Sequence, residues 1–202
     1  MLLATVGAAG AGLVVGAVRG GRIDRLAQLP IRLPWLAGLA WLVQVALFVS
    51  PLAVVLEPWA GPIHAASIGL IGLVIVANRV VPGIALLGLG LLLNAAVYAA
   101  NGGFMPTSEA ALLATGNESG LEAMRGGARF QKTVLMRSDT PLWFLGDVLP
   151  VPPAGKIYSV GDLVAASGVF VLVASGMTER PSGLRRDQVP SSEGLTPRSE
   201  PR

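Results

Sequence analysis

Two aspartates, Asp147 in Leu145-Gly-Asp-Val-Leu-Pro150 and Asp162 in Tyr158-Ser-Val-Gly-Asp162, are the residues of this chain whose type and spacing point most directly to chemistry. Two carboxylates in a partly dry setting cannot both ionise cheaply, and a pair sharing one proton is what aspartic peptide hydrolysis requires. Pro150, Pro152 and Pro153 stop any helix between them, so the intervening chain turns or runs extended. The spacing permits contact without establishing it. A structural reading stands beside the catalytic one. Ser159-x-x-Asp162 is a capping box, in which the hydroxyl takes a free backbone N–H and the carboxylate favours the positive helix start, each cap residue stabilising by about 1 kcal/mol.

Other polar residues offer less. Gln44 and Asn94 fall inside apolar runs, where an amide makes interhelical hydrogen bonds worth ~0.6 kcal/mol or lines a transport path. His64 is the single histidine, and without a second ligand it makes no metal site. Lys156 near Ser159 has the look of a serine–lysine pair, but a lysine base must be desolvated, and this one follows Pro152-Pro-Ala-Gly155 in an exposed loop. The glycines at 7, 10 and 12 follow no strand, so they are not a phosphate loop; Gly12-x-x-x-Gly16 is instead the spacing that lets helices approach closely. With no cysteine, disulfides and thiolate chemistry are excluded, and no cofactor is implied.

The elements that must position these residues are apolar. Of 202 residues 52% are hydrophobic and 13% charged, about half the charge of an average soluble domain, and mean hydropathy is +0.64. Uncharged runs near the length that crosses a bilayer predict an all-α polytopic membrane helix bundle of about five spans, at 2–18, 35–56, 63–77, 80–100 and 158–177. The third is short. A membrane domain 1–177 thus includes an outer helical and loop segment, 101–157, in which Thr107 caps a short helix through Ala114 and a second runs from Glu118 to Arg125. Residues 178–202, rich in Pro, Ser, Arg and Glu, predict a disordered cytoplasmic tail.

Basic residues set the orientation. Arg19, Arg22, Arg25 and Arg32 fill the first connection, Arg79 sits in the third, and Arg180, Arg185 and Arg186 follow the last span. Such residues prefer the cytoplasm, which places the N-terminus outside and the C-terminus inside a cell membrane. The expected partner is the lipid bilayer, with other membrane proteins or a membrane-embedded peptide as further candidates. The tail balances five arginines against four acids, so nucleic acid is not an expected partner.

Several blocks together resemble a known family. Gly16-Ala-Val-Arg-Gly-Gly-Arg22, Trp41-Leu-Val-Gln44, Asn101-Gly-Gly-Phe-Met-Pro106, Leu145-Gly-Asp147 and Tyr158-Ser-Val-Gly-Asp162 resemble the bacterial membrane family called domain of unknown function 5317, over roughly residues 1–177. That resemblance implies a bacterial membrane protein and carries no activity. A more distant similarity is to lipoprotein signal peptidase. Asn101-Gly-Gly-Phe104, Asp147 and Tyr158-Ser-Val-Gly-Asp162 with Gly168 are similar in order to its motifs, implying catalytic Asp147 and Asp162 with Asn101 and Ser159 beside them. The Gly-Asn-x-x-Asp-Arg motif of that family has no counterpart, and Ser159 stands where the motif has asparagine.

Three functions remain on this reading. The favoured one is a structural or regulatory membrane protein whose Asp147 and Asp162 region packs an outer-face pocket. The others are an aspartic membrane peptidase using those two residues, and a small-molecule carrier using Gln44, Asn94 and Asp162.

Overall fold

The apolar runs become helices because Leu and Ala, strong helix formers, recur through them and proline falls only in first turns. In the computed structural model, which describes residues 2–48, 53–56, 59–125 and 133–178, these are α1 (Leu2–Val18), α2 (Pro34–Phe48), the single turn α3 (Ala53–Leu56), α4 (Ala60–Ala77), α5 (Ile84–Ala100) and α8 (Val160–Thr178). Pro34 opens α2 at the first helical position, where its missing N–H costs nothing. Residues 179–202, expected to be a disordered tail, lie outside the described residues, as does Pro51.

Helix α8 is the axis. Helix α1 runs alongside it in the same direction: a Cβ at Gly12 would lie 2.9 Å from the Phe170 carbonyl oxygen, and one at Gly16 would press on Met177. Helix α5 runs antiparallel, with Gly83 beside Gly168 and Gly90 beside Gly161. Gly83 precedes α5 at φ 85°, a backbone conformation only glycine adopts without strain. Helix α2 packs on α4. Asn78, at the end of α4, fixes the chain before α2 by donating to the Arg32 carbonyl at 2.8 Å and accepting from the Arg32 N–H at 2.6 Å.

The α5–α8 crossing yields a prediction. A Cβ at Gly90 would lie 2.5 Å from the Gly161 carbonyl oxygen and 2.8 Å from Ala165 Cα, both backbone atoms that cannot swing aside. Gly90→Ala is expected to lower stability by about 1–3 kcal/mol. Gly38→Ala, with nothing within 4 Å, serves as the control. Unfolding midpoints of the two variants in detergent decide it; equal midpoints would refute the tight crossing.

The expected all-α bundle of about five spans is overturned. Segment 101–160 contributes a four-stranded mixed sheet of order β2-β1-β3-β4, built from β1 (Met105–Thr107), β2 (Thr133–Leu135), β3 (Asp147–Val151) and β4 (Lys156–Ser159). Strand β1 is parallel to β2 and β3, and β3 is antiparallel to β4. Among the described residues one helix, α8, is both long and apolar enough to cross a membrane; the other apolar helices are shorter. The physical reasons are local. Tyr158 and Ser159, expected to begin a span, pair in β4, and Thr107, expected to cap a helix, ends β1, with Ser108 preceding the short helix α6 (Glu109–Ala114) instead. Helix α7 (Glu118–Arg125) follows. Leu112, Leu121 and Met124 from these two helices form a small core against Leu135 and Ile157 of the sheet.

Candidate functional site

The register of the sheet lines up three polar residues. Thr107 of β1 pairs with Asp147 of β3, and Asp147 pairs with Ser159 of β4, so the three form a row across the strands. Strand β4 then runs straight into α8, which brings Asp162 into the helix's first turn.

Ser159 and Asp162 close a ring with Asn94 of α5. The Ser159 hydroxyl accepts from the Asp162 N–H at 3.0 Å and donates to Asn94 Oδ1 at 2.8 Å, while Asn94 Nδ2 donates to Asp162 Oδ1 at 2.7 Å. The three residues are 7%, 0% and 6% exposed for Asn94, Ser159 and Asp162. A buried carboxylate is stable only when charge-assisted hydrogen bonds replace water, and the ring supplies one from a neutral amide whose oxygen accepts in turn from the serine hydroxyl. Gly161 is part of the design, since a Cβ there would collide with the Asn94 carboxamide. The ring therefore ties together α5, α8 and the end of the sheet.

Asp147, paired with Ser159 across β3 and β4, is half-buried. Burial pushes its carboxyl up to about 7, and the nearby negative charge of Asp162 adds to the effect. Asp147 also lines a cavity of about 170 Å³ between the sheet and helices α6 and α7. Thr107 and Lys156 share that lining, with Leu112, Met124 and Ile157 as apolar walls. Thr107 is buried, and its hydroxyl is the one buried side-chain polar atom among the described residues without a hydrogen-bond partner. Asp162 is absent from this lining, behind the ring that holds it.

The remaining sequence candidates lie elsewhere. Gln44 Nε2 donates to Ser67 Oγ at 3.2 Å, between α2 and α4. Asn101 caps the end of α5, its Nδ2 donating to the carbonyls of Val97 at 2.9 Å and Pro141 at 3.1 Å. Gln44 and Asn94 thus serve different helix pairs. His64 falls in α4, and no group of three acidic or histidine side chains among the described residues could hold a metal ion. The cavity residues Thr107 and Lys156 were not singled out by sequence as binding groups. Lys156 had a signal, being a cation close to Asp147 across a proline turn. Thr107 had none, because only the β1–β3 register brings it beside Asp147.

No curated protein and no solved structure matches the chain. Residues 28–174, which hold Gln44, Asn94, Asn101, the whole sheet and most of α8, match a family profile, and on that match the chain belongs to the family of unknown function DUF5317.

Proposed function

We propose that this is an integral membrane protein of structural or regulatory role, in which α8 crosses the bilayer with α1 and α5 against it, and the sheet stands at the outer surface over the cavity. One observation carries the reading: the apolar helices turn hydrophobic residues outward and polar ones inward. Val14 on α1, Trp41 on α2, Val76 on α4 and Leu92 on α5 are each more than half exposed, while Ser67, Asn94 and Asp162 are buried. A helical protein bathed in water has the reverse arrangement, and contiguous exposed apolar surface of this kind is the mark of a lipid or partner interface.

The distribution of arginines supports the orientation. Arg22 donates its N–H to the Met177 carbonyl at 3.0 Å, and Arg25 Nη1 reaches the same oxygen at 3.2 Å. The basic first connection therefore gathers at the C-terminal end of α8, opposite the sheet, and Arg79 precedes α5 toward the same end. Basic residues prefer the cytoplasmic side, which supports a reading with that end inside and the sheet outside a cell membrane. The peptidase reading of Asp147 and Asp162 has less support, because Asp162 is held behind Asn94 and does not line the cavity. The carrier reading has less again, since Gln44 bonds Ser67 and Asn94 bonds Asp162.

Flotation of the reconstituted full chain tests the membrane claim. The protein is expected to rise with lipid vesicles and to stay with them through an alkaline carbonate wash; recovery in the aqueous fraction would reject it. For the role, Asp147→Asn and Asp162→Asn are expected to leave lipoprotein and membrane-peptide processing unchanged. Abolished processing in both folded variants would put the peptidase in its place.

A further inference from the structure

The cavity under α6 and α7 has the chemistry of a binding site, and nothing in the membrane reading above is needed to see it. A buried hydroxyl without a partner is costly, and valine would fill the same volume at Thr107 without that cost. The orphan's residue lies next to Asp147 in register, so a hydroxyl and a carboxyl come from neighbouring positions of the cavity wall. Asp147 is the one anionic residue in the lining and Lys156 the one cationic residue, the latter exposed at the rim. Leu112, Met124 and Ile157 supply an apolar wall. The space, about 170 Å³, is close to the ~150 Å³ that holds benzene in an engineered protein cavity, room for a compact molecule.

We propose that this cavity binds a small aliphatic zwitterion, its ammonium donating to Thr107 and Asp147, its carboxylate meeting Lys156, and its hydrocarbon body lying on Leu112, Met124 and Ile157. The ammonium fills the vacant acceptor on Thr107 and neutralises Asp147 in one contact. A molecule with a single charge satisfies one end only.

Calorimetric titration of the full chain in detergent micelles tests this with L-valine and its isomer 5-aminopentanoate, whose charges are respectively adjacent and separated, against pentylamine and pentanoate. At least one zwitterion is expected to bind tenfold or more tightly than either singly charged compound. Thr107→Val is expected to raise the melting temperature and weaken that binding by tenfold or more, the usual worth of a hydrogen bond to a charged group. Lys156→Ala is expected to weaken zwitterion binding and leave pentylamine unchanged. The proposal is overturned if neither zwitterion outbinds the amine and the acid, or if Thr107→Val gains stability with its affinity intact. Because the titration is done in micelles, failure of the flotation experiment leaves its outcome readable.

Discussion

Asn94→Leu is expected to destabilise the protein by about 3–5 kcal/mol, more than any conservative change elsewhere in the helices. The substitution keeps the branched outline of the side chain and replaces both polar atoms of Asn94 with methyl groups. Asp162 then loses its charge-assisted bond from Asn94 Nδ2, and the Ser159 hydroxyl loses the acceptor at Asn94 Oδ1. Each loss is charged at the full desolvation of a buried group, because water does not reach residues so little exposed. Gln44→Leu is the comparison. It breaks one amide–hydroxyl bond to Ser67, and such bonds between apolar helices are worth ~0.6 kcal/mol. Chemical unfolding of both variants in the same detergent measures the difference. If Asn94→Leu unfolds no earlier than Gln44→Leu, the ring is not what joins α5, α8 and the sheet.

The ring was half legible in the sequence. Ser159-x-x-Asp162 announced a helix start through the chemistry of its side chains, and in the structure the serine oxygen takes the Asp162 N–H. Its third member was legible in role and not in partner: Asn94 reads as an interhelical hydrogen-bonding amide, but it lies 65 residues from Ser159 and 68 from Asp162, and only the α5–α8 crossing brings them together. The glycines that allow that crossing, Gly83, Gly90, Gly161 and Gly168, lie in or beside apolar runs and carry no sign in the sequence of which glycine each will meet.

The sheet was hidden for a different reason. Strands β1 and β2 have three residues each, too few for an alternating pattern to appear, and their pairing is parallel, with no tight turn to mark it. Strand β3 contains Pro150, which reads as a turn, and it is tolerated there next to an irregularity in register with β4. Strand β4 runs directly into α8, so its Ile157-Tyr158-Ser159 merged with the apolar run that follows. Hydropathy located the helices because composition alone decides burial over long runs. A pocket near Asp147 is part of the sequence reading, but its walls are not, since Thr107, Leu112 and Met124 reach it from separate elements.

Asp147 is expected to make stability fall as pH rises from about 4 to about 7. Its carboxyl stands at about 7 in the folded protein against 3.8 ordinarily, pushed up first by burial and then by the Asp162 charge. The folded state therefore holds this proton through a range in which the unfolded chain has released it. The stabilisation is fully present below 3.8 and is lost as pH rises through about 7. Moving one carboxyl over that interval corresponds to an upper bound on the order of 4 kcal/mol, and Asp147→Asn, which is neutral throughout, removes the dependence. The Asp162 charge that acts on Asp147 is present in both proteins, so it does not contribute to the difference between them. Unfolding midpoints of wild type and Asp147→Asn, measured from about pH 4 to pH 8, are expected to converge at the acid end and separate toward neutrality, with the wild type the less stable. Parallel curves would show that Asp147 titrates at its ordinary position. The same experiment with a bound zwitterion has an opposite sign: an ammonium beside the carboxylate favours the ionised form, draws the folded-state titration down toward 3.8 and shrinks the loss at neutral pH. A cavity that binds only uncharged molecules leaves the wild-type slope where it was.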